Sequence, residues 1–255
     1  MFRALRRTRK RIVLLTGEGD KPVSPELYAQ KPPHVHHWFG TNMFAGGTDT
    51  TPIPLGLGAR PDSATLESDE IRKAAALGIK RDQLLYANFG TASNPGLREP
   101  LSAWLQRPEQ SWITRQPHTA QPGKAGYLEA LLSHHFVFCP PGNGEDTHRM
   151  WEALYCGAIP VVRESPAMRH FKDLPILFVP QFDGLSEQFL RDELSAWPQR
   201  HFSREKLGMD YWKARFSAAQ QAALIRGPLN LKEWCGAWIK EIRLVAGKGV
   251  GLTVA

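Results

Sequence analysis

The chain has 255 residues, 42% of them hydrophobic, with 12 Phe and 8 Trp; this is ample for a core and excludes wholesale disorder. Of the net charge of +7, six charges come from one N-terminal run, Arg3, Arg6, Arg7, Arg9, Lys10 and Arg11. The remainder is nearly balanced, so a nucleic-acid function would rest on that run alone, and none is expected.

Residues 11–16 read as a first strand, whose apolar run is too short for a signal core or a membrane span. Residues 17–30 read as a loop, 36–39 as a short strand, and 46–54 as a turn-rich stretch ending in extended Pro-Ile-Pro. A helix is predicted over 68–77, with Gly78 as its stop. The pattern then becomes regular: strand 83–89, helix 97–105, strand 111–115, helix 127–133 and strand 136–139. A polar turn over 140–145 leads into a helix that Asp146 or Thr147 can cap and Gly157 ends, followed by a strand over 158–162. After an irregular stretch come a strand over 176–180, a helix over 186–196, and helical tracts over 204–226 and 231–244.

Five strands alternating with helices imply an α/β fold: an open parallel, Rossmann-like sheet with flanking helices. The expected division is a short, reduced N-terminal α/β lobe over residues 1–80 and a nucleotide-binding domain over 81–255. Trp151, Leu154 and Tyr155 fall on the side of their helix expected to face the sheet, and Tyr211, Trp212 and Phe216 form an aromatic stripe expected in the core. Cys139, Cys156 and Cys235 lack metal spacing; Cys139 and Cys156 read as small buried hydrophobes. An odd cysteine count without a secretory leader points to a cytoplasmic protein, with the basic N-terminus offering a peripheral contact to the cytosolic face of a membrane.

The unit around residues 136–162 carries the chemistry. Gly142 and Gly144 let backbone N–H groups approach a ligand closely, and a strand–turn–helix unit of this kind puts the helix N-terminus at the carboxyl edge of the sheet, where phosphates bind. Arg149 lies in the first turn of that helix, where the macrodipole opposes a cation; a bound anion would reverse the penalty. Glu152, three residues on, shares its face and suits paired sugar hydroxyls. The competing reading is an Arg149–Glu152 surface ion pair on an ordinary helix. His34, His36 and His37 follow Pro32-Pro33 and read as loop histidines at a cleft edge rather than a metal site, while His134 and His135 read as structural.

The block Cys-Pro-Pro-Gly-Asn-Gly-Glu-Asp-Thr-His-Arg-Met-Trp-Glu-Ala-Leu-Tyr-Cys-Gly-Ala-Ile-Pro-Val-Val resembles the nucleotide-sugar-binding motif of exostosin-like glycosyltransferases and their bacterial and viral relatives. Residues 38–43, the Pro-Ile-Pro-Leu-Gly-Leu run at 52–57, and Tyr86-Ala87-Asn88-Phe89 followed by Asn94 and Arg98 are similar too, so the likeness spans about residues 38–216. It implies the donor half of a GT-B fold, with transfer of a sugar from a UDP- or GDP-linked donor to a hydroxyl of a glycan or glycoconjugate. By the same resemblance, Arg149 would hold the donor diphosphate and Glu152 the ribose, with Gly142, Asn143, Gly144, Asp146 and His148 lining the phosphate and sugar end. No metal or cofactor is expected, since the sequence offers no Asp-x-Asp. An acceptor base is not singled out; His36, His37, Asp20 and Glu18 are the candidates. The alternative is a non-catalytic module binding a nucleotide or another anion, or a partner subunit of a larger transferase.

Overall fold

The structure, a computed structural model, describes residues 2, 5, 9–17, 20–58, 66–116 and 123–230. The helix expected over 231–244, Cys235, Glu18 and the basic residues Arg3, Arg6 and Arg7 lie outside them.

The protein is α/β, with two parallel sheets flanked by helices. The first sheet runs β1 (Ile12–Thr16), β2 (Val35–Gly40) and β3 (Thr50–Pro52) in that order, all parallel. The segment expected to be a loop between β1 and β2 holds a short helix, α1 (Pro25–Ala29). Ser24 accepts a hydrogen bond from the Leu27 N–H, and Pro25 pre-sets the first helical φ, so five residues suffice. Likewise the turn-rich stretch at 46–54 contributes strand β3; Pro52 is tolerated because β3 is an edge.

The second sheet contains β4 (Gln83–Ala87), β5 (Thr114–Arg115), β6 (His134–Phe138), β7 (Ile159–Arg163) and β8 (Leu177–Val179), ordered β5-β4-β6-β7-β8 and wholly parallel. The helices are α2 (Ser68–Ala75), α3 (Pro95–Leu105), α4 (Gly123–Ser133), α5 (His148–Tyr155), α6 (Glu187–Ala196) and α7 (Met209–Arg226). Period-two alternation along β6 explains the layering. Phe136 and Phe138 enter one core with Leu101 and Trp104 of α3 and Leu190 of α6, while Val137 enters the other with Leu131 of α4 and Trp151 of α5. Burial on both faces is why this strand is a continuous apolar run.

Leu66 and Ile71 belong to the core that contains α4 and α5, so α2 packs with the second sheet, ahead of the boundary expected at residue 80. Helix α7 starts in that same core through Trp212 and returns to the first sheet, where Phe216 meets Phe39 with ring centroids 4.3 Å apart. Beyond α7, the Leu229 N–H bonds the Arg9 carbonyl, and Arg9 returns two bonds to the Leu229 carbonyl. Tyr155 is not buried against the sheet as expected: it is 40% exposed, and its hydroxyl donates to the Leu207 carbonyl. Gly157, at φ +76°, ends α5 in the left-handed region. Among the described residues, no helix is long and apolar enough to cross a membrane.

Candidate functional site

The strand order locates a crevice. β4 and β6 are neighbours, but β4 leads into α3 on one face and β6 into α5 on the other. In open α/β sheets, ligands bind at such a switch point, outside the carboxyl ends of the strands. The segments flanking it are 88–94, after β4, and 139–147, after β6.

The second of these is pinned from several directions. The Gly142 N–H bonds the Gly144 carbonyl at 2.9 Å, closing a tight turn. Asn94 Nδ2 donates to the Gly142 carbonyl at 3.0 Å, and Asn143 Nδ2 to Asp20 Oδ2 at 3.1 Å. At Gly144 a Cβ would lie 2.5 Å from Asn42 Nδ2, so any side chain there would have to displace the Asn42 amide. Asn42, just past β2 and at φ 50°, accepts the Asp146 N–H on Oδ1. The carboxyl ends of both sheets thus meet at this loop.

Asp146 turns inward. Its Oδ2 accepts the Leu55 N–H at 2.7 Å and its Oδ1 the Trp151 indole N–H at 2.6 Å. Burial pushes its pKa up to about 7 against the pull of these donors. The residue joins the loop to the chain between the sheets; neither oxygen is spare. His148 Nδ1 lies 2.7 Å from the Gly56 carbonyl. A carbonyl only accepts, so Nδ1 carries the hydrogen and, in the neutral ring, Nε2 is left as an acceptor.

Arg149 is the second residue of α5 and is partly buried, and its Nε has no hydrogen-bond partner. Its charge is felt at Tyr86, Arg98, Tyr127 and Cys139, which places it at the crevice between β4 and β6. Glu152 does not neutralise it as a surface pair would. It is buried, with Oε1 accepting the Leu66 N–H at 2.9 Å and Oε2 the Tyr127 hydroxyl at 2.7 Å. Burial, with Glu152 alongside, raises the Tyr127 pKa well above its ordinary value, so the phenol stays a donor. Tyr86, whose hydroxyl donates to Gln116 and accepts from Asn88, completes the polar floor.

Arg98, in α3, is buried on the opposite side of the crevice. Its guanidinium donates to the carbonyls of Pro140, Pro141 and Gly90 and to the Ser93 hydroxyl, all at 2.8–2.9 Å. Burial first, and the Arg149 charge second, lower its pKa to about 10. The sequence alone assigns Arg98 no role, although it stands at the end of a first helical turn that, like that of α5, carries no acidic residue. Glu145, also passed over, pairs with Arg163 at 2.9 Å.

The acceptor-base candidates separate. Asp20 lies beside the loop through Asn143. His36 and His37 do not line a loop: they sit in the first half of β2, with His37 about 10 Å of strand before its carboxyl end at Gly40. His37 bonds Thr51 Oγ1 and packs on Phe39, and burial lowers the pKa of both histidines. Among the described residues, no group of three or more metal-ligating side chains converges. No protein-family model matches the chain, and no curated protein matches it significantly, so the chemistry of this crevice stands as the guide to function.

Proposed function

We propose that the protein is a glycosyltransferase of the exostosin-like, GT-B type that moves a sugar from a UDP- or GDP-linked donor to a hydroxyl of a glycan or glycoconjugate without a metal ion. One observation carries this reading: Arg149 stands in the first turn of α5, beside the switch point, with an enclosed Nε–H that no group among the described residues satisfies. A half-buried cation facing the positive end of a helix is unfavourable unless an anion joins it.

In the reaction, the bond between the sugar's anomeric carbon and the diphosphate oxygen breaks while the acceptor oxygen bonds to that carbon. Negative charge grows on the departing diphosphate. Arg149 and the N-terminal amides of α5 are fixed donors for it, and fixed donors stabilise developing charge without reorganising. Gly142 and Gly144 let the loop backbone come close; His148 Nε2 can accept from a sugar hydroxyl. Asp146 serves by holding the loop. Glu152 supplies a ribose acceptor once the Tyr127 hydroxyl or the Leu66 N–H is exchanged. Asp20 is the acceptor-base candidate that lies at the loop and takes the proton from the incoming hydroxyl.

Arg149→Ala should lower kcat/KM for donor turnover by about 100-fold or more and abolish the thermal stabilisation given by UDP or GDP. Turnover within a few-fold of the parent protein would refute the reading. A second reading, a nucleotide-binding module without transfer, draws on the three-stranded first sheet and on the distance of His36 and His37 from the loop. Binding of a nucleoside diphosphate, with none released from any of a panel of nucleotide sugars, would favour it.

A further inference from the structure

We infer that Arg98 is the positioning residue of the anion site: it shapes the β6–α5 loop from behind and closes the α3 side of the crevice, so that a ligand enters only from the side of α5 and the first sheet. This extends the functional reading above, on which the nature of the ligand rests.

Four contacts spend the guanidinium on oxygen atoms of the two segments that flank the crevice. Nε and Nη2 take the successive carbonyls of Pro141 and Pro140, and Nη1 takes Gly90 and Ser93. Those two carbonyls turn toward α3 and Gly142 stays beside Arg98, whereas Gly144 packs against Asn42, just past β2. Gly142 lies so near that a Cβ there would be 3.3 Å from Nη2. Asn94 repeats the theme. It occupies the N-cap position of α3 yet makes no side-chain cap; its amide reaches across to the Gly142 carbonyl instead. A residue type suited to capping has been diverted to the loop, which a purely local role for α3 does not explain.

A bound anion is not Arg98's main partner: the side chain is buried and four of its five N–H donors are taken by the two segments. None of its four hydrogen bonds goes to a carboxylate among the described residues; they go to three carbonyls and a hydroxyl. Geometry therefore separates Arg98 from Arg149, the one spent on the loop and the other with an enclosed Nε that has no hydrogen-bond partner among the described residues. Lysine keeps the charge but cannot bridge four acceptors in a plane.

The experiment measures two things on Arg98→Lys, Asn94→Ala and the parent protein. The first is peptide-level hydrogen exchange across residues 140–147 without ligand; the second is the dissociation constant for UDP and GDP. Both variants should exchange at least tenfold faster across 140–147, with β6 and the last turn of α5 unchanged, and should bind the nucleotide at least tenfold more weakly. Asn94→Ala keeps the test open if Arg98→Lys fails to fold. Parent-like exchange in the loop would overturn the inference, as would full rescue of binding by lysine. If the parent protein binds neither nucleotide, the functional reading fails, while the exchange result still decides whether Arg98 holds the loop.

Discussion

Asp146 shows how one side chain can serve shape and pH response together. Its two oxygens hold an amide from the segment between the sheets and an indole from α5, and burial raises its pKa from about 3.8 to about 7. The folded form therefore binds this proton more tightly than the unfolded chain. The stabilisation is fully present below about pH 4 and is lost as pH rises through 7, at about 1.4 kcal/mol for each pKa unit of difference. Asparagine at this position does not titrate. Melting temperature should thus fall between pH 5 and pH 8 by more in the parent protein than in Asp146→Asn, because other groups, such as His170 with its pKa lowered to about 4, cancel in the comparison. Equal slopes in thermal melts would show that Asp146 does not titrate in this window.

At the scale of elements, the β6–α5 connection is built from parts of the chain far apart. Asn42 meets Asp146 across 104 residues and Asn143 meets Asp20 across 123. Gly144→Ala tests this joint. Its Cβ, 2.5 Å from Asn42 Nδ2 and 3.0 Å from Cγ, forces the Asn42 side chain off the Asp146 N–H. A loss of about 1–3 kcal/mol in urea unfolding is expected, together with weaker nucleotide binding; an unchanged midpoint would mean the two segments part freely. The same separation explains what could be read from the sequence. β6, α5 and the Gly157 stop rest on local signals, namely an apolar run, a helical face and a left-handed glycine. Helix α1 was hidden in a turn-rich stretch because its signal is one serine and one proline. The inward turn of Asp146, the Tyr127–Glu152 bond and the four contacts of Arg98 depend on partners that only folding brings near.

For the whole molecule, α7 is the brace. It leaves the core of the second sheet at Trp212 and lays Phe216 on Phe39 of the first. The first sheet has three strands among the described residues, and a lobe of roughly 60 residues is only marginally stable alone, so it depends on what it leans against. Phe216→Ala should cost about 1–3 kcal/mol, since the ring is only partly buried, and should raise hydrogen exchange in β1 and β2 more than in β6 and β7. A uniform rise across both sheets would instead mark the molecule as one cooperative block. The meeting of the two carboxyl edges has a further consequence. Asp146 borrows its solvation from its neighbours rather than from water, so prising the lobes apart hydrates it and lets it shed its proton. Opening this joint should therefore cost less free energy above pH 7 than below pH 4.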